Sequence, residues 1–199
     1  MNRRDFLRNA ICMGAGAVLA PLLLADRVEA AWQEPVPFGV PVRETNLSFG
    51  PLENRTRTDA IIVHHIGNTN ADVSAATVHA WHKANGWSGI GYHFLIRKDG
   101  TVERGRPMDT VGAHCYGENS HTVGVNIVGN FEAAWPEKAQ LDAAARLLCA
   151  LSVYYGFAPQ KNTIFGHRDF NATACPGCNL YGLLPALIEQ AHTFYMAGG

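Results

Sequence analysis

Three short segments of this chain carry residue types that bind metal ions. Ile62-Val63-His64-His65 closes an apolar run, Gly166-His167-Arg168-Asp169 adds a third histidine, and Thr173-Ala174-Cys175-Pro176-Gly177-Cys178 adds two thiols. Two imidazoles and one thiolate are a good donor set for zinc. Three protein donors leave the fourth position to water, as catalytic zinc requires. On a strand, neighbouring side chains face opposite ways, so only one of His64 and His65 can point into such a site. Each segment also has a plainer reading. Cys175-x-x-Cys178 could be half of a structural zinc site, but there is no second cysteine pair. A thioredoxin-like redox pair would open a helix in a βαβ unit near the N-terminus, and this pair does not. A nucleobase deaminase would place a His-x-Glu partner upstream, and none is present. A histidine pair on a strand is, by itself, more often a satisfied core feature than a site. The nine histidines of the chain prompt the search for a set.

The elements that must position these residues can be read from the pattern. Residues 60–63 form a short apolar run suited to a buried strand. Residues 73–85 have helical spacing and end at Asn85-Gly86. Residues 92–97 read as a strand, Lys98-Asp99-Gly100 as a hairpin turn and residues 101–104 as the returning strand. Residues 123–128 read as another strand and 163–166 as a brief one. Residues 137–155 read as a long helix, with Leu141, Ala144, Ala145, Leu148, Leu151 and Tyr155 recurring every three or four positions between Pro136 and Gly156. Residues 180–195 read as a closing helix. Strands and helices alternate imperfectly, which predicts an α/β domain with a central mixed β-sheet flanked by helices.

Composition sets the limits. The chain has 199 residues, 47% of them hydrophobic and 17% charged, with a formal net charge of −1. That permits one domain with a real core plus a short extension, and no basic stripe points to nucleic acid as a partner. Residues 1–30 read as a twin-arginine-type signal peptide. Arg3-Arg4-Asp5-Phe6-Leu7 precedes a weakly apolar run over residues 10–25, and Val28-Glu29-Ala30 offers a small-residue cleavage pattern. The run is short and contains Pro21, so no stable membrane anchor is expected after cleavage. Export would place the chain in the periplasm or outside the cell, where Cys115, Cys149, Cys175 and Cys178 meet an oxidising environment. Residues 31–54, with Pro35, Pro37, Pro41 and Pro51, read as an extended lead-in to a domain at 55–199.

Taken together, the motifs resemble a family. His64-His65-x-Gly67, Gly91-Tyr92-His93-Phe94, Gly112-Ala113-His114, Gly124-Val125-Asn126-Ile127-Val128-Gly129-Asn130-Phe131 and Gly166-His167-Arg168-Asp169 through Thr173-x-Cys175-Pro176-Gly177 stand in the order seen in peptidoglycan recognition proteins. They are similar also to the related phage and bacterial N-acetylmuramoyl-L-alanine amidases. The resemblance covers about residues 55–190. It implies the peptidoglycan recognition protein-like amidase fold and a Zn2+ ion held by His64, His167 and Cys175, with His65 packing behind. It further implies Tyr92 as the catalytic tyrosine, Thr173 where phage relatives have lysine, and a substrate groove with His114 and Asn119. The expected partner is peptidoglycan or a muropeptide, the expected state a monomer.

Zinc lowers the pKa of bound water from about 15.7 toward about 7. The hydroxide so formed would attack the amide between the lactyl group of N-acetylmuramic acid and L-alanine, with Tyr92 and Thr173 steadying the oxyanion. Neither Glu103 nor Glu118 is tied by sequence to a general-base role. In this family, Gly86-Trp87 goes with stem peptides carrying meso-diaminopimelate, and Arg106 matches the arginine that binds the extra carboxylate; His93 is also expected among the substrate-binding residues. The competing readings are a non-catalytic peptidoglycan-binding receptor, which usually lacks the cysteine or the tyrosine, and a metallopeptidase acting on stem peptides. Cys178 is left as a spectator, disulfide partner or alternative zinc donor, and Cys149 as a core residue.

Overall fold

The computed structural model describes residues 39–198. The twin-arginine segment and residues 31–38 lie outside the described residues. Six strands form a mixed sheet: β1 (Val42–Arg43), β2 (Ala60–His65), β3 (Phe94–Ile96), β4 (Val102–Arg104), β5 (Thr122–Ile127) and β6 (Ile164–Gly166), in the order β1-β4-β3-β5-β2-β6. All neighbours are parallel except the β3–β4 hairpin. Helices α1 (Ala75–Ala84), α2 (Lys138–Tyr155) and α3 (Cys178–Met196) flank the sheet, and a 3-10 turn, His167–Asp169, follows β6. This is the mixed α/β architecture expected from the pattern.

β2 reads as an unbroken apolar run because it is paired on both edges, by β5 and β6, and covered on both faces. Its alternation sorts the two histidines. Ile61 and Val63 join Phe94, Ile96, Val123 and Val125 in the large core under α2 and α3, which contribute Leu147, Leu148, Leu151, Leu184 and Leu187. Leu95, opposite Asn126 on β5, joins Ala75, Val78, Ile90 and Val128 in a smaller cluster beneath α1. His65 therefore shares the face of Ile61 and Val63, and His64, opposite Asn126, shares the α1 face.

The helix ends follow local chemistry. Ser74 caps α1, its hydroxyl oxygen accepting the Thr77 N–H at 3.2 Å. The buried Glu103 carboxylate accepts the Ala75 N–H at 2.6 Å, a negative charge at the positive end of α1. Glu103 is also bonded to Arg97 at 3.1 Å, so this carboxylate serves the scaffold. α2 begins where the Gln140 side chain accepts the Glu137 N–H at 3.0 Å and ends at Gly156 in the left-handed region, φ 82°.

Two elements differ from the sequence expectation. β1 lies inside the proline-containing lead-in and pairs with β4 at the sheet edge; two residues are too few to carry a period. The strand expected at 92–97 narrows to Phe94–Ile96, although the Tyr92 and His93 carbonyls still accept from Arg106 and Gly105. No described helix is long and apolar enough to cross a membrane.

Candidate metal centre

Three elements converge on one point. His64 arrives on β2, His167 opens the turn after β6, and Cys175 lies in the loop before α3. One donor atom from each falls within 4.8 Å of the other two. Cys175 Sγ is 3.6 Å from His64 Nδ1. Tetrahedral zinc with Zn–S of about 2.3 Å and Zn–N of about 2.0–2.1 Å separates N and S by about 3.5 Å, so the donor set and its spacing fit that ion. Burial pushes the Cys175 thiol up to about 12 without a cation, while a backbone hydrogen bond from the His65 N–H, 3.4 Å from Sγ, pulls the other way. Burial and the neighbouring imidazoles hold His64 well below the ordinary histidine range, and burial lowers His167, so both rings are neutral and offer lone pairs.

Tyr92 stands beside the three donors, its ring centroid 5.1 Å from that of His64. Burial and the nearby Cys175 raise its pKa, which keeps the hydroxyl a proton donor at neutral pH. The Asn126 side chain, fully buried on β5, approaches that hydroxyl, although neither its amide nitrogen nor its oxygen completes a hydrogen bond. Thr173 lies on the cysteine side, where its hydroxyl oxygen accepts the Cys175 N–H at 3.2 Å. His65 points away: its Nδ1 accepts the Phe131 N–H at 3.1 Å.

The residues expected to touch substrate divide into two groups. His93, His114 and Asn119 lie behind the donors. His93 is completely buried, with Nδ1 accepting the Gly124 N–H at 3.0 Å and Nε2 2.9 Å from the Thr110 carbonyl. Complete burial keeps its ring from the substrate, against the expectation that it is a substrate-binding residue. His114 is 7% exposed, and its Nδ1 is 3.0 Å from His64 Nε2. A Cβ on Gly112 would stand 2.4 Å, and one on Gly124 2.6 Å, from the His114 ring, so both glycines make room for it. The Asn119 side-chain oxygen accepts the His114 and Cys115 N–H groups at 2.8 and 3.0 Å, shaping the loop that carries His114.

Trp87, Gly86 and Arg106 form the second group, on the other side of Tyr92. Trp87 is 46% exposed and packs on His82, ring centroids 4.6 Å apart, beside an open groove lined by Asn68, Trp81, His82, Asn85 and Tyr92. Gly86 ends the helix at φ 82°. Arg106 is turned inward, 5% exposed, with Nε and Nη1 donating to the Ile90 and Val111 carbonyls at 3.0 and 2.8 Å. Those bonds engage part of the guanidinium expected to fork a carboxylate. Its charge still reaches the groove, since it helps burial lower the His82 pKa to about 4.

The sequence reading missed three residues here. Asn171 accepts from His167 Nε2 at 3.0 Å; asparagine four positions after a ligand has no signature of its own. His82 accepts the Gly91 N–H on Nδ1 at 3.0 Å; the helical spacing of residues 73–85 does not say which partner its ring faces. Arg55, buried beneath His93, bonds Thr58, Thr110 and Tyr155. Glu118 pairs with His121 at 3.1 Å, away from the donors. Cys115, Cys149, Cys175 and Cys178 are all free thiols. Cys178 is exposed and outside the donor group, its thiol beside the Phe131 and Glu132 carbonyls; Cys149 is buried in the core of α2.

Comparison with known proteins adds to this geometry. Residues 54–178 match the family model described as N-acetylmuramoyl-L-alanine amidase. The endolysin of Klebsiella phage KP32 is 42% identical over 132 residues, covering 63% of this chain and 85% of its own. The peptidoglycan-recognition protein SC2 of Drosophila simulans is 34% identical over 127 residues, covering 60% and 68%. Among solved structures, the N-acetylmuramoyl-L-alanine amidase LysC from Clostridium intestinale URNW superposes with a TM-score of 0.68 at 33% identity, over 75% of this chain and 97% of that one.

Proposed function

The chain belongs to the N-acetylmuramoyl-L-alanine amidase family, and from that premise we propose that it is a zinc-dependent amidase of peptidoglycan stem peptides. The reaction adds water across the amide between the lactyl carbonyl of N-acetylmuramic acid and the nitrogen of L-alanine. The observation that carries this reading is the convergence of His64, His167 and Cys175 donor atoms within 4.8 Å of one another, beside Tyr92. His64, through Nδ1, and His167 and Cys175 would hold the ion. Zinc, when bound there, supplies Lewis acidity and activates water at neutral pH.

The protein groups have distinct tasks. Tyr92, kept protonated by burial, offers its hydroxyl to the oxygen on which negative charge develops as the carbonyl is attacked. Thr173 fixes the Cys175 backbone and so the thiolate. The groove beyond Tyr92, with Trp81, His82, Asn85 and Trp87, receives the stem peptide. A preference for meso-diaminopimelate belongs to the same proposal: Gly86 leaves space beside Trp87, and the Arg106 charge beneath the groove attracts the extra carboxylate.

The test is digestion of purified sacculi followed by mass spectrometry. New N-terminal L-alanine and a free lactyl carboxylate are expected. Cleavage between amino acids would make the chain a peptidase, and binding without products would make it a receptor. We further propose export through the twin-arginine start, supported by Arg3-Arg4-Asp5-Phe6-Leu7. Changing Arg3 and Arg4 to Lys together should trap precursor in the cytoplasm; normal processing would refute that route.

A further inference from the structure

The two histidine donors are each held from behind by one loop. His64 presents Nδ1 to Cys175, and its Nε2 meets His114 Nδ1 at 3.0 Å. His167 has its Nε2 3.0 Å from the Asn171 side-chain oxygen. The orientation of the Asn171 amide is fixed by its other bonds: its nitrogen donates to the Tyr116 carbonyl at 3.2 Å, and its oxygen accepts from the Cys115 thiol at 3.4 Å. An oxygen facing Nε2 requires the His167 proton on Nε2, which leaves the Nδ1 lone pair for a metal. His114, Cys115 and Tyr116 are consecutive, and Asn119 braces the His114 and Cys115 N–H groups.

We propose that the loop from Gly112 to Asn119 is a positioning element for the metal, setting both imidazole donors at once through His114 and Asn171. The His114 contact bears on the other donor. Of the two ways to share the proton between His64 and His114, only a proton on His64 Nε2 leaves His64 Nδ1 free to bind a cation. That choice places the His114 proton on the buried Nε2, on a ring that the Thr122 backbone also meets. The identity of the metal rests on the proposed function; the role of the loop does not depend on which amide is cut.

The experiment measures zinc affinity by chelator competition on the full chain, without substrate. Asn171→Ala should weaken zinc binding by about 10- to 100-fold, while the metal-free protein melts as the wild type does. Asn171→Asp keeps an oxygen acceptor facing Nε2 and should restore affinity to within about threefold of the wild type. A merely structural asparagine would lower the melting temperature without this rescue pattern. If Asn171→Ala fails to fold, Asn119→Ala carries the test, with affinity weakened by about three- to tenfold. Wild-type affinity in a folded Asn171→Ala, or in Asn119→Ala should the first not fold, overturns the positioning role and leaves the amidase reading untouched. Absence of amide cleavage in the sacculus digest overturns the amidase reading and leaves the affinity result standing.

Discussion

Tyr92 separates two regions built in opposite ways. On one side the donors His64, His167 and Cys175 are held by hydrogen bonds behind them, and the ring of His114 fits a space cleared by Gly112 and Gly124. On the other side Trp81 and Trp87 are 38% and 46% exposed, and the groove that Trp81 and His82 line is open. Preorganisation is worth most where charge must be stabilised at a fixed place, because donors already aimed there need no reorganisation. Recognition of a long, partly solvated peptide gains from several modest contacts instead. Substitutions on the metal side should therefore act nearly all-or-none, and those on the groove side by degrees.

The strongest test of that contrast is Cys175→Ala. Two imidazoles remain, and the single anionic donor is lost. Zinc should no longer co-purify at one per chain, and turnover on muropeptides should fall by about 10³ or more. Stoichiometric zinc together with near wild-type turnover would place the metal elsewhere.

Tyr92→Phe comes next. It removes one hydroxyl and none of the donors, so zinc content should stay at wild type while kcat falls by about 10². A variant that also loses zinc would mean that Tyr92 supports the donors rather than the reacting carbonyl, and the border between the two regions would have to move.

The same contrast explains what was legible in the sequence. The grouping of His64, His167 and Cys175 was readable because few residue types supply metal-binding atoms. The β2 alternation that sends His64 and His65 to opposite faces followed from strand geometry alone. The long α2 was readable from its period and its Pro136 and Gly156 bounds. β1 was not, since two residues beside Pro41 carry no period. Asn171 and His82 were not, because their roles depend on which atom faces which partner, and that is decided by tertiary packing. Arg106 was singled out by its place in a motif, but its inward turn depends on the carbonyls of Ile90 and Val111, which no local pattern announces.

On the groove side, Trp87→Ala should give a graded effect. Its half-exposed ring packs on His82. Removing it should cost about 1–1.5 kcal/mol of substrate binding, roughly five- to tenfold in KM, with kcat nearly unchanged. A collapse of kcat instead would tie Trp87 to the placement of Tyr92 through His82 and the Gly91 N–H that His82 accepts.

The smallest effect is expected at Arg106, and it discriminates between two roles. Its Nε and Nη1 donate to one buried and one part-buried carbonyl, so truncation to Ala would leave both without this donor and cost about 1–3 kcal/mol of stability for reasons unrelated to substrate. Arg106→Gln is the better probe, because glutamine retains an amide donor for one carbonyl and removes the charge. Diaminopimelate and lysine stem peptides differ by one carboxylate. A buried cation that acts through its field, at a distance and partly screened, should favour that carboxylate by on the order of 0.5–1 kcal/mol. In Arg106→Gln, the ratio of kcat/KM for diaminopimelate over lysine muropeptides should therefore fall by about two- to fivefold, with the lysine value little changed. An equal loss on both substrates would make Arg106 a brace for the Ile90 and Val111 carbonyls alone. The preference for diaminopimelate would then have to come from the space at Gly86, or be absent.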